Sequence, residues 1–353
     1  MERKIIHVIG TGTIGEPLVG LLCDYREKLG LDEITFHKNI PLKEDRSKIL
    51  DLIERGARLA CDKEKEKQFR KLNMDPDFNS EEAISRSSVV IDCTPSAIGQ
   101  INKKDYYQKF KDNVKGFLAQ GNEDGFGKKY ARGINDSSLS SNDQFIQIVS
   151  CNTHNLACIA NTIAIGESPD NLIRGTFLCV RRANDISQKS NFIPSPKVER
   201  HDDNKFGTHH ARDASKLFQT MGMDLNLFSS AMKVNSQYMH ILWFQLEVKE
   251  PTTLVKVKDK LYSNNLVAMT EKDLTSLVFS FGRDHGHYGR IMNQTVVVEQ
   301  SLSVHEHQIT GFCFTPQDGN SILSSIAATE WLLYPHSYED KIQCLSKLFF
   351  AKI

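Results

Sequence analysis

The chain has no long apolar run, no paired cysteines, no excess of either charge and no internal repeat. Each absence removes a class of function. A membrane-spanning helix needs roughly 20 consecutive apolar residues, and no stretch of the 353 residues approaches that, so no membrane partner is expected. The N-terminus runs directly into the strand-like Lys4-Ile5-Ile6-His7-Val8-Ile9-Gly10 instead of a signal peptide. Lys and Arg together number 44, as do Asp and Glu, so there is no basic footprint for nucleic acid. Cys23, Cys61, Cys93, Cys151, Cys158, Cys179, Cys313 and Cys344 are scattered without CxxC spacing. Several sit inside apolar runs, as reduced core cysteines do, which points to a cytoplasmic protein. His285-Gly286-His287 and His305-Glu306-His307 have chelating spacing but no third ligand placed by sequence, so no metal is expected.

What is present reads as two domains. Strands at Lys4–Gly10, Ile34–Phe36, Val89–Pro95 and Gly116–Gly121 alternate with helical patterns at Glu16–Leu29 and Lys43–Leu72. That alternation predicts an α/β fold with a doubly wound parallel sheet of Rossmann type. After residue 150 the character changes, with β-rich runs at Gly175–Arg182, Met232–Glu247 and Thr295–Val304. These predict a second, α+β domain with a mixed or antiparallel sheet. The expected boundaries are 1–150 plus 314–353 for the dinucleotide-binding domain, with the helix at Ser321–Tyr334 returning to it, and 151–313 for the catalytic domain. The polar insertion between Asn184 and Ala214 reads as an ordered functional loop.

Gly10-Thr11-Gly12-Thr13-Ile14-Gly15 matches GxGxxG between a strand and a helix, the context the motif requires. The first glycine permits the tight turn, the second lets the backbone approach a pyrophosphate, and the third allows close helix–strand contact. An NAD site usually carries an acid at the end of the second strand to hold the ribose 2′-hydroxyl. Here that position reads Thr35-Phe36-His37-Lys38 with no carboxylate, and Lys38 suits a 2′-phosphate, so NADP is preferred over NAD.

Ile148-Val149-Ser150-Cys151-Asn152-Thr153 puts a thiol at the start of a helix, where the helix dipole favours the thiolate. A thiolate beside a nicotinamide site suggests aldehyde oxidation through a covalent thioester. Twelve histidines offer candidate bases, and spacing alone does not choose among them.

Taken in order, the GxGxxG start, Ile91-Asp92-Cys93-Thr94-Pro95 with Ile98-Gly99, Gln120-Gly121, Ser150-Cys151-Asn152-Thr153, Val180-Arg181-Arg182-Ala183-Asn184-Asp185, His209-His210 and Met239-His240 resemble the archaeal-type (class II) glyceraldehyde-3-phosphate dehydrogenases. The resemblance implies Cys151 as nucleophile and His240 as base and carbonyl-polarising group. It puts Asn152 and Thr153 beside the thiol, and Arg181, Arg182, His209 and His210 on substrate or inorganic phosphate, a role that suits a guanidinium. Thr94, Pro95, Gln120 and Gly121 fall where the family's loops meet the cofactor, and Asn320 near the nicotinamide. It further implies a homotetramer that oxidises glyceraldehyde 3-phosphate reversibly to 1,3-bisphosphoglycerate with NAD(P) and phosphate.

The departures lie in the pocket. His154-Asn155-Leu156-Ala157-Cys158-Ile159 stands where the family shows a second threonine and a downstream arginine. Ala211-Arg212 replaces a glycine and proline, Leu242 a second histidine, and Val298-Glu299-Gln300-Ser301 a Trp-Arg-Glu-Ser-like segment. A related dehydrogenase of aspartate semialdehyde or N-acetylglutamyl phosphate type, or a silent dinucleotide-binding regulatory protein, are the alternative readings.

Overall fold

Short apolar strands joined by helices assemble into a sheet of β1 (Ile5–Ile9), β2 (Glu33–His37), β3 (Ala57–Cys61), β4 (Phe78–Asn79), β5 (Val89–Asp92), β6 (Gly116–Gln120), β7 (Lys128–Tyr130) and β8 (Phe145–Ile148). Their order is β4-β3-β2-β1-β5-β6-β8-β7, and the pairings from β4 through to β8 are parallel. β1 and β5 are buried along their whole length, as strands covered on both faces must be. The computed structural model describes residues 3–166, 168–185, 193–316 and 318–353. It divides into two units. One holds the chain up to Lys128, Ser140–Ile148 and Ser324–Ser346; the other holds Lys129–Leu139, Val149–Leu323 and Lys347–Ile353.

The second unit is built on a mixed sheet of β9 (Leu172–Arg181), β10 (Lys197–Val198), β11 (Leu227–Lys233), β12 (His240–Val248), β13 (Val267–Thr270), β14 (Thr295–Val298), β15 (Ser303–His305) and β16 (Gln308–Thr315). The order is β10-β11-β9-β12-β16-β14-β13, with β15 on β16. β11 runs parallel to β9 and β13 to β14, while the other pairings are antiparallel. Burial in β12 alternates strictly, so one face of the sheet is core. That face shares a cluster with Leu156, Ile159, Leu217 and Phe218 from the helices Cys151–Ala160 and His209–Gln219.

The structure departs from the sequence pattern in three places. Lys43–Leu72 is not helical throughout: a helix at Arg46–Glu54 ends at Gly56, which takes φ of +95°, and β3 follows before a helix at Glu66–Lys71. Arg58 interrupts an otherwise apolar strand and masks it in the sequence. The run Met232–Glu247 breaks between β11 and β12, where Tyr238 takes φ of +81°. That break makes His240 the first residue of a strand. A 3₁₀ turn at Glu299–Ser301 likewise divides Thr295–Val304. The insertion between Asn184 and Ala214 contains β10 and the start of the His209 helix; its residues 186–192, like Gln317, lie outside those described. Among the described residues no helix is long and apolar enough to cross a membrane.

Among the buried groups of the first unit, Glu330 is poorly compensated. Both carboxyl oxygens of Glu330, on the apolar helix Gly319–Leu333, are buried without a hydrogen-bond partner among the described residues. Burial pushes its pKa up to about 8, against the opposing pull of Lys341. The folded protein therefore keeps a proton that the unfolded chain releases above its ordinary pKa of about 4.5, so stability falls as pH rises from there towards 8. Glu330→Gln is expected to raise the melting temperature by several degrees at pH 8.5 and by little at pH 5, as thermal denaturation at the two pH values will show.

Candidate active site

The thiol of Cys151 opens the helix Cys151–Ala160, and Ser150 caps it by accepting from the Thr153 N–H. The Ser150 and Thr153 hydroxyls also bond each other at 2.9 Å. Polar residues inside the helix fix it to the sheet. Asn155 Nδ2 donates to Thr315 Oγ1 at 2.9 Å, and Thr315 Oγ1 donates to Asn152 Oδ1 at 2.9 Å. The Cys313 thiol donates to Asn155 Oδ1 at 3.1 Å. Thr315 is the register partner of His240 across β16 and β12. The strand pairing and this buried network thus bring the thiol's helix to the strand that begins with His240.

His240 is buried, and its Nδ1 accepts the Arg182 backbone N–H at 3.0 Å. Burial holds its pKa well below the ordinary histidine value, and the nearby cations Arg182, Arg181 and Lys233 lower it further. The ring is neutral, and with Nδ1 accepting, its proton sits on Nε2. That tautomer presents a hydrogen-bond donor. Of the two roles the resemblance gives His240, the geometry favours polarising a carbonyl.

Arg181 and Arg182 stand apart in environment. Arg182 is buried, and its guanidinium bonds the Tyr238 carbonyl at 3.1 Å, Asp185 at 2.7 Å and Asp318 at 3.3 Å. Burial opposes its charge, but Asp318 and Asp185 outweigh that and raise its pKa. Arg181 pairs with Glu199 at 2.6 Å and stays about one-third exposed. It acts on the histidine pair: His209 and His210 have rings 4.0 Å apart, and burial lowers the pKa of both, with Asp213 opposing at His209 and the Arg181 cation lowering both further. Both ring nitrogens of His210 are buried with no hydrogen-bond partner among the described residues. Such an unsatisfied group is costly unless a ligand completes it.

The thiol does not behave as its helix position alone predicts. Cys151 is half-buried, and burial raises its pKa, with Asp318 the leading charge in the same direction. Arg182 and Arg181 oppose this, and Asp185 adds to it. Sequence reading missed Asp318, which lies outside every motif quoted. Asn320 is engaged by the thiol's own residue: its Nδ2 donates to the Cys151 carbonyl at 3.0 Å and to the Gln294 carbonyl at 3.2 Å. Its Oδ1 accepts the Ser321 N–H at 2.8 Å.

In the first unit the glycine loop has the geometry its motif requires. A Cβ at Gly15 would fall 2.0 Å from the Gly10 carbonyl oxygen, so helix and strand meet too closely for any side chain. Gly10 takes φ of +93°. Around Gly12 nothing lies within 4 Å of such a Cβ, which leaves room for a pyrophosphate against the backbone. Beside the loop lies a cavity of about 210 Å³ lined by His7, His37, Asn39, Thr94, Asn102 and Tyr106 among others. His7 Nε2 is buried there without a partner among the described residues. These residues fit the adenosine half of a dinucleotide. Lys38 bonds Asp45 at 2.6 Å, and Lys48 reaches the same carboxylate at 3.0 Å, so two ammonium groups share one acid. His37 is paired instead with Asp62 at 3.2 Å.

The loop after β5 is organised from below. Asp92 accepts from the Thr94 N–H at 2.9 Å, from Asn102 Nδ2 at 2.8 Å and from the Tyr107 hydroxyl at 2.5 Å. Pro95 follows at the turn, and Glu123 accepts the Ala97 and Gln100 N–H groups at the start of the next helix. Gln120 donates to Ser325, and Gly121 takes φ of +77°. Neither Asp92 nor Glu123 stood out in the sequence as a functional acid. Removing the amide of Asn320 takes a donor from two carbonyls, one part-buried and one buried. Asn320→Ala is expected to cost on the order of 2 kcal/mol, measured as a lower denaturation midpoint with an unchanged slope.

No protein-family model matches the chain. Over 254 residues, 69% of this chain and 70% of the relative, it is 28% identical to "Glyceraldehyde-3-phosphate dehydrogenase 2" of Methanosarcina acetivorans. It is 24% identical over 319 residues, covering 88% and 86%, to the glyceraldehyde-3-phosphate dehydrogenase of Sulfolobus acidocaldarius. With that of Methanothermus fervidus it shares 23% over 362 residues, 98% of this chain and 97% of the relative.

Proposed function

We propose that this chain, a divergent relative of the archaeal glyceraldehyde-3-phosphate dehydrogenases, oxidises glyceraldehyde 3-phosphate to an acyl phosphate. The observation that carries the reading is the buried network that ties the helix starting at Cys151 to the strand starting at His240, a neutral, Nε2-protonated histidine near His210 and Arg181. The S–H of Cys151 adds across the aldehyde carbonyl, sulfur to carbon and proton to oxygen, giving a thiohemiacetal. His240 Nε2–H donates to the carbonyl oxygen as charge develops there. When bound, an oxidised nicotinamide supplies the acceptor for the hydride that leaves the thiohemiacetal carbon. The hydroxyl proton departs to solvent and a thioester remains on Cys151. A phosphate oxygen then bonds the acyl carbon, the C–S bond breaks, and Cys151 recovers a proton.

Arg181, His209 and His210 are the groups we assign to the phosphate moieties. Neutral imidazoles and a guanidinium supply donors to an anion. Arg182 is spent on Asp185 and Asp318, and we assign it to holding His240 in orientation. Asn152 and Thr153 hold the helix and thereby the thiol. The glycine loop binds the pyrophosphate, with Thr94, Pro95, Gln120 and Gly121 on the cofactor's path. The two lysines around Asp45 favour a 2′-phosphate, hence NADP.

Cys151→Ala is expected to abolish phosphate-dependent reduction of NADP with glyceraldehyde 3-phosphate, and activity at the native level would refute the nucleophile. Omitting phosphate should stop multiple turnover; undiminished turnover without it would mean a non-phosphorylating enzyme. Arg181→Ala is expected to raise KM for substrate or phosphate about tenfold or more with a smaller change in kcat. For Lys38→Ala we expect the NADP-to-NAD ratio of kcat/KM to fall about tenfold, and an unchanged ratio would remove Lys38 from cofactor choice.

A further inference from the structure

The buried face of the second sheet continues beyond its core into a row of charges. Along β9, Phe177 and Cys179 are buried, and Arg181 is the next residue on that face. Along β11, Leu227, Ser229 and Ala231 are buried, and Lys233 follows on the same face. The ladder sets Ser229 against Phe177, Ala231 against Cys179 and Lys233 against Arg181. On the other side of β11, Lys197 of β10 pairs with Lys233. His240 opens the buried face of β12, whose Leu242 and Phe244 pair with Cys179 and Phe177. Lys197, Lys233 and Arg181 therefore stand in register on neighbouring strands, on the face to which His240 belongs. At about 4.8 Å between strands, the row spans roughly 10 Å.

Like charges directly opposite one another destabilise a pair of strands, so three cations in register call for anions. One is supplied from within. The Glu199 carboxylate lies 2.6 Å from the Arg181 guanidinium, and the Glu199 N–H bonds the Ala231 carbonyl at 2.9 Å. Neither Lys197 nor Lys233 has an ion-pair partner among the described residues. The helix His209–Gln219 starts against the same face, where the Ala211 N–H donates to Ser229 Oγ at 3.0 Å. Its first turn carries His210, whose two buried ring nitrogens lack partners among the described residues. We propose that Lys233 and Lys197 extend the anion site assigned to Arg181, and that Glu199 holds the place of a phosphoryl group until one binds. The proposal rests on that assignment of Arg181. A phosphoryl group carries a charge of about −2 at pH 7 and compensates more of the row than the single charge of Glu199. Arg181 offers it a planar fork, and the two lysines offer point charges beside it.

The test is calorimetric titration of the full-length protein with inorganic phosphate, without aldehyde or nucleotide. Lys233→Met keeps an apolar stem and removes the charge, and is expected to raise Kd about tenfold. Glu199→Gln removes the competing charge and is expected to lower Kd about threefold. The exposed Lys249 lies beyond the far end of β12, and Lys249→Met is expected to leave Kd unchanged. A native Kd in Lys233→Met, a native or raised Kd in Glu199→Gln, or an equal loss in Lys249→Met overturns the proposal. If Lys233→Met does not fold, Lys197→Met decides: its lysine is exposed, a rise of about threefold is expected, and a native Kd overturns the proposal. Arg181→Ala separates the two claims. Phosphate binding lost there but native in Lys233→Met removes the lysines and keeps Arg181, whereas native binding in Arg181→Ala removes both. Absence of saturable phosphate binding in the native protein overturns the proposal, while turnover of Cys151→Ala still tests the thiol on its own.

Discussion

The hydroxyl of Thr315 joins the helix that begins with Cys151 to the strand that begins with His240. It accepts from Asn155 and donates to Asn152, each at 2.9 Å, while its backbone lies opposite His240 in the β12–β16 ladder. The position of the thiol's helix is therefore set by strand register. A slip of one residue would turn the hydroxyl to the other face of the sheet and leave both asparagine side chains buried without it. Burial makes this bond decisive: Asn152, Asn155, Thr315 and Cys313 are all enclosed, so the network has no water to substitute for a lost member.

Around that joint the site is governed by compensated charge. Arg182 is buried because two carboxylates accompany it, and an unaccompanied guanidinium would be prohibitively costly there. Its backbone N–H then fixes which histidine nitrogen carries the proton. Orientation of the ring and stability of the ion pair are thus one arrangement. Arg181, the last residue of β9, is left to act on the histidine pair.

Much of this was legible in the sequence, for identifiable reasons. The glycine loop announces itself because close packing at Gly15 and an open approach at Gly12 demand the absence of Cβ atoms. Cys151 could be placed because a polar cap precedes an apolar helix. β3 was not legible, since Arg58 in mid-strand breaks the apolar pattern and its neighbours match a helical period equally well. Asn155 registered only as a departure from the family pattern, although it anchors the helix to Thr315 and Cys313. The tautomer of His240 was beyond sequence, because it depends on a backbone N–H 58 residues away. Asp318 was missed for a similar reason: its partner Arg182 lies 136 residues earlier in the chain.

The path of the chain between the two units carries a consequence of its own. It passes from one to the other five times, at Lys128/Lys129, Leu139/Ser140, Ile148/Val149, Leu323/Ser324 and Ser346/Lys347. Neither unit corresponds to an uninterrupted stretch of gene. A single cut cannot release one intact, and shortening the C-terminus beyond the last crossing removes material from both. The last long helix is itself divided between them, its first turn supplying Asn320 to one and its remainder supplying Ser325 and Glu330 to the other. The glycine loop and Cys151 thus sit in two units that each draw on several separate stretches of the chain.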